Sequence, residues 1–202
     1  MAGLERSADD LVPGAGTRYF PVVSTIWKGG LMDLVAVVLR VIHIVCGVYW
    51  AGTLFFVATF LQPAVSAAGP EGGKVMQALM RRRYLDVMPA VAILTILSGL
   101  DLYRRASGNF SADWIGSRHG VILTIGSLAA IVAFVIGVLL MRPAARRVGP
   151  LVQGAQELPE GPDRDARLAE AAALRRRTAM SGRWVAGLLV VAVIGMAVAR
   201  YV

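Results

Sequence analysis

The chain has 202 residues, of which 56% are hydrophobic and only 17% charged, and its mean hydropathy is +0.63. A soluble domain of this length does not carry so much apolar surface, so the lipid bilayer is the expected solvent and partner. In a soluble protein the net charge of +8 would point to nucleic acid; here the basic residues cluster in loops beside apolar runs, and no nucleic-acid partner is expected.

Residues 1–31 read as an N-terminal extension on the outer side of the membrane. They lack the charged start, apolar run and small-residue cleavage site of a signal peptide. Within them YFPVVSTIW, 19–27, has the Tyr and Trp of an interfacial segment, while Met32 offers itself as an alternative start. Residues 32–202 form the membrane domain. Four runs are long enough to cross about 30 Å of hydrocarbon as helices: 34–61, 85–102, 120–141 and 184–202. The expected fold class is therefore all-α, a polytopic membrane protein built as a four-transmembrane-helix antiparallel bundle.

The basic residues set the orientation. Of the 21 Lys and Arg, thirteen fall in 62–84 and 142–183 and eight on the opposite side. The positive-inside rule then predicts both termini outside and a basic cytoplasmic loop over 142–183, in a bacterial inner membrane. That loop opens with Pro and Gly punctuation between Gly149 and Pro162. It then becomes Ala-, Leu- and Arg-rich over 163–179, which reads as a helix with Asp163 and Asp165 at its start and Arg175 to Arg177 at its end. This helix is either a surface helix or a cytoplasmic extension of the fourth span.

The chemistry-bearing residues are few. The first run is 28 residues, about 42 Å as a helix, longer than the hydrocarbon is thick. If Leu61 marks the inner boundary, His43 lies near the outer interface and Arg40 among the headgroups. His119, just before the third span, falls on the same side. Two imidazoles at one level suit the two axial positions of a haem iron, or two ligands of another metal; intramembrane histidines also serve simply to hydrogen-bond neighbouring helices.

One turn from His43, Gly47 leaves room for a flat macrocycle; Trp50 follows at helical spacing, and Gly126 lies seven residues beyond His119. The alternative for these glycines is close helix packing. Arg40 suits a haem propionate or a lipid phosphate. Asp101 is expected to pair with Arg104 or Arg40, and Asp86 with Arg81 to Arg83. Copper is the alternative metal, with Cys46 and Met32 joining the two histidines. The single cysteine makes no disulfide framework within one chain. Zinc-hydrolase, Walker and Rossmann signatures are absent from the sequence, as is a recognisable Ser, His and Asp triad.

The segment IHIVCGVYWAGTLFFVATFLQP, 42–63, resembles the first helix of small haem-binding membrane proteins, the group of the bacterial membrane protoporphyrinogen oxidases and copper-resistance-D-like proteins. The matching residues are His43, Trp50, Ala51, Gly52, Phe55 and Phe56. A second stretch, MRRRYLDVMP followed by Ser98 and Gly99, resembles the second helix of the oxidases; together the two cover about a fifth of the chain. The resemblance implies a haem b held by the first-helix histidine. It also implies electron transfer between a quinone or porphyrin pool and another redox protein; a homo- or hetero-oligomer is left open by the sequence. The pattern departs at the third helix, where Trp114 is followed by IGSRHG, so that His119 is displaced and no lysine accompanies it. The alternatives are a copper-handling or transport protein and a non-catalytic membrane subunit.

Overall fold

The computed structural model describes the backbone of residues 19–202 and the side chains of 33–202, Pro70 excepted. The first residues of the expected extension, 1–18, and the side chain of Met32 lie outside the described residues. The chain divides into two units, Met1–Val38 and Leu39–Val202, and every contact below lies within the second.

Among the described residues all regular structure is helical. α1 (Tyr19–Phe56) reaches upstream of the expected start at 34. It passes through a π turn (Val57–Leu61) into α2 (Gln62–Ala67). α3 (Gly69–Arg81) leads to α4 (Tyr84–Ala106), and the short α5 (Ala112–Gly116) to α6 (Arg118–Ile136). A second π turn (Gly137–Met141) joins α6 to α7 (Arg142–Gln156); α8 (Pro162–Val198) ends in a 3₁₀ turn (Ala199–Tyr201).

Four helical stretches are long and apolar enough to cross a membrane: Asp33–Ala67, Tyr84–Ala106, Arg118–Gln156 and Pro162–Tyr201. The protein is a multi-pass, all-α membrane protein. Both π turns have one cause. Pro63 and Pro143 have no N–H to donate, and their rings crowd the carbonyls four residues back. The helix widens just before each, so that Gln62 N–H reaches Val57 O and Arg142 N–H reaches Gly137 O.

All four long helices meet in a core of mostly small side chains: Trp50 and Ala51 from α1, Ala92 from α4, Ala133 from α6, and Val185 and Leu189 from α8. Small residues matter because lipid removes the hydrophobic drive between helices and leaves close packing to hold them. The closest approach is α6 on α8. A Cβ on Gly126 would lie 3.3 Å from Ala192 O, and one on Gly195 would lie 3.2 Å from Ile122 O. Two glycines facing each other let these backbones touch.

Within the basic loop expected over 142–183, the helix expected at 163–179 is present, but the Gly- and Pro-punctuated part before it is helical as well, and the two form an antiparallel hairpin. α7 runs unbroken through Gly149, Pro150 and Gly154, and only Glu157–Gly161 turns. A glycine or proline inside a helix costs about 1–3 kcal/mol. Packing on α8 offsets that, with Ala155 and Ala171 buried in the hairpin, at 0% and 2% exposure. Of the two readings of 163–179, extension of the fourth span is the one observed. α8 has 37 residues, about 55 Å, so the hairpin stands some 25 Å clear of a 30 Å bilayer.

Asp86 is a correction. Its carboxylate takes Arg142 and Arg146, each at 2.7 Å, rather than Arg81 to Arg83. Those three residues occupy the end of α3 and the turn into α4, where Arg83 is left-handed with φ 59°. The folding of 142–156 into a helix brings the other two arginines to the carboxylate.

Candidate functional site

His43 lies on the face of α1 that meets α4. Its imidazole covers Gly99, where an added Cβ would come within 2.6 Å of the ring's Cε1. Its Nδ1 is 2.8 Å from the backbone oxygen of Thr95. A carbonyl only accepts, so Nδ1 carries the hydrogen, and in the neutral ring it is Nε2 that has the lone pair. Thr95 and Ser98 turn their own hydroxyls onto α4 carbonyls, Thr95 Oγ1 to Val91 O at 2.9 Å and Ser98 Oγ to Leu94 O at 2.6 Å. This satisfies them within the helix, as an apolar surrounding demands.

His119 has the same arrangement on different helices. It occupies the second position of α6, whose start is fixed by Ser117: the hydroxyl accepts from Gly120 N–H at 3.1 Å and donates to Trp114 O at 2.6 Å. Gly120 is required there, because a Cβ would collide with Trp114 O. His119 Nδ1–H donates to Ala199 O at 2.6 Å, across to the end of α8. In the neutral ring Nε2 again has the lone pair.

An aromatic cluster surrounds this second imidazole. Trp114 meets the His119 ring edge-on at 5.4 Å and Tyr103 at 5.4 Å; Phe110 stacks on Tyr103 at 6.0 Å. Thr124 donates its hydroxyl hydrogen to Gly120 O at 2.7 Å, so Tyr103 must be the donor in its 2.6 Å bond to Thr124.

The backbone bends sharply to build the cluster. Gly108, Asn109 and Phe110 are consecutively left-handed, with φ of 59°, 67° and 66°. Phe110 has neither glycine's freedom nor asparagine's short polar side chain, and such a conformation costs about 1–2 kcal/mol. The Phe110 N–H bond to Ser107 Oγ at 2.9 Å and the stack on Tyr103 offset it.

α4 serves as a ruler between the two imidazoles. Gly99, under His43, and Tyr103, two aromatic contacts from His119, are one helical turn apart, about 6 Å. Each histidine is seated in its own helix pair, His43 between α1 and α4 and His119 between α6 and the end of α8.

The other candidate residues divide. Trp50 is 5% exposed and part of the four-helix core. Gly47 faces Thr95, whose methyl would touch an added Cβ at 3.5 Å, and the space beside Gly126 is filled by α8 backbone. Both glycines therefore serve helix contact, the alternative weighed for them above, and the room expected for a macrocycle beside Gly126 is taken. Arg40 is exposed and makes no ion pair among the described residues. Asp101 binds Arg104 at 2.8 Å and Arg105 at 2.5 Å, not Arg40. Cys46 is a half-buried free thiol.

Sequence reasoning missed Thr95, Trp114 and Ala199 as partners of the imidazoles, and Tyr103 behind Trp114. Gly99 and Trp114 stand out in the sequence for the family resemblance alone. A backbone carbonyl has no side-chain signature, so the Thr95 and Ala199 contacts were not legible. The aromatic run Tyr103, Phe110, Trp114 just ahead of His119 was. Among the described residues no three His, Cys, Asp or Glu side chains gather as a metal site. No family model matches the chain, no curated protein matches it, and no solved structure matches it.

Proposed function

We propose that this chain is an integral membrane b-type haem protein of electron transfer, with His43 and His119 supplying Nε2 to iron. In this reading it lies in a bacterial inner membrane with both termini outside, and exchanges electrons with a quinone or porphyrin pool or a partner redox protein. The observation that carries the reading is the pair of Nδ1–H bonds to Thr95 O and Ala199 O. Histidines that bind metal almost always donate their other ring nitrogen to a carbonyl or carboxylate, which fixes the tautomer and raises the basicity of the ligating nitrogen.

The donor set favours haem over a bare ion. Porphyrin brings four nitrogens and asks only two ligands of the protein, whereas zinc or copper sites draw three or four from side chains. Bound haem would supply one-electron exchange at its iron. The protein's own residues hold and orient the imidazoles: Gly99 seats the His43 ring, and Trp114 flanks that of His119. Arg40, one turn from His43, offers a guanidinium fork to a propionate.

The test is a reduced-minus-oxidised optical spectrum of the detergent-purified protein. The expected result is a six-coordinate haem b signature that is lost or converted to five-coordinate in both His43→Ala and His119→Ala. A haem that stays six-coordinate in His119→Ala would refute the pairing. A colourless protein that contains copper would replace haem with the copper-handling reading.

A further inference from the structure

The hairpin that extends beyond the membrane carries a groove, about 310 Å³, lined by Arg146, Arg147 and Arg167 with Pro150 and Leu151 as its apolar floor. Around it, positive charge exceeds negative. Asp86 is shared between Arg142 and Arg146, Arg147 reaches Glu170 at 3.2 Å, and Arg167 has no acidic partner among the described residues. Two carboxylates thus answer four guanidiniums. The imbalance also shows in Arg142, whose Nε is buried without a hydrogen-bond partner.

Arg167 is seated as well as charged. Its guanidinium lies against Gly154 of α7, where a Cβ would collide with it. The exposed Arg167 side chain thus reaches across the hairpin to α7, and the glycine leaves room for it. Like charges held together in this way repel unless an anion joins them.

We infer that this groove binds a phosphate-bearing anion, gripped by the Arg146, Arg147 and Arg167 guanidiniums. A guanidinium fork matches two phosphate oxygens at once, and such charge-assisted bonds are the strong ones. Two sources fit the height of the groove. From Arg142, at the foot of the hairpin, Arg146 stands about 6 Å and Pro150 about 12 Å along the helix axis. The headgroup layer is roughly 5–8 Å thick. The groove thus spans the upper edge of that layer, within reach of a lipid phosphate below or a soluble one above. The inference is independent of haem.

The experiment uses the full chain in dodecyl maltoside. It is titrated calorimetrically with inorganic pyrophosphate in one arm and with mixed micelles containing phosphatidic acid in the other. Saturable binding is expected in at least one arm, and which arm responds identifies the source. Arg167→Gln is expected to weaken it roughly ten- to a hundredfold, the loss of a hydrogen bond to a charged group. Arg176→Gln, an exposed arginine farther along α8 and outside the groove, should change it by less than about threefold. The inference is overturned if neither probe saturates, or if Arg176→Gln weakens binding as much as Arg167→Gln, which would mark diffuse charge rather than a site.

Discussion

Replacing Gly99 by Ala tests how His43 is held. The added Cβ would lie 2.6 Å from Cε1 and 2.9 Å from Nδ1 of the imidazole, where carbon contacts settle at about 3.5–4.0 Å. The ring must retreat by roughly 1 Å. It cannot do so and keep its 2.8 Å bond to Thr95 O, because that oxygen belongs to the same helix as the intruding methyl. Overpacking of this kind costs about 1–3 kcal/mol, and the strained or lost hydrogen bond adds about 1 kcal/mol. Thermal or denaturant unfolding in detergent should show a loss of roughly 2–4 kcal/mol. The haem spectrum of the same sample should show altered ligation, since freeing Nδ1 changes the basicity of Nε2.

Gly52→Ala is the control: it lies on the same helix as His43, and its Cβ would meet no atom within 4 Å. If Gly99→Ala unfolds like Gly52→Ala, the imidazole is not seated on α4 and the argument for its tautomer fails. If stability falls while the spectrum stays unchanged, the seat is real but His43 is not the ligand.

Gly195→Val should separate α6 from α8, because its Cβ would already lie 3.2 Å from Ile122 O and 3.3 Å from Gly126 Cα. A loss of about 1–3 kcal/mol in detergent unfolding is expected, and a neutral result would refute the backbone contact. Orientation is testable in a Cys46→Ser background. Cysteine at Asn109 should react with a membrane-impermeant maleimide in whole spheroplasts, and cysteine at Glu160 only after lysis; the reverse pattern would overturn the positive-inside reading.

The four spans could be read from composition alone, because a bilayer demands about 20 apolar residues per crossing and few other constraints produce such runs. The expectation that His43 and His119 share one membrane face rested on span lengths and the charge count. Helix limits were harder. The runs expected to end at Met141 and to begin at Trp184 mark where apolar character changes, not where the helix does, and α7 and α8 continue past both. Gly149, Pro150 and Gly154 argued locally for a loop, and packing of α7 on α8, which buries Ala155 and Ala171, overrode them.

What the sequence by itself determined is the class of molecule: an all-α, multi-pass membrane protein with one histidine in its first apolar run and another just ahead of its third. That much follows from hydrophobic length and residue type, which are local quantities. Which atoms meet was decided only by the tertiary structure. A glycine clears space equally for a cofactor, a neighbouring imidazole or another backbone, and Gly126, Gly99 and Gly154 differ only in what the fold brings opposite them. The tautomer of each histidine likewise depends on a carbonyl 52 or 80 residues away. Backbone oxygens are the same at every residue, so no sequence pattern could have named those two.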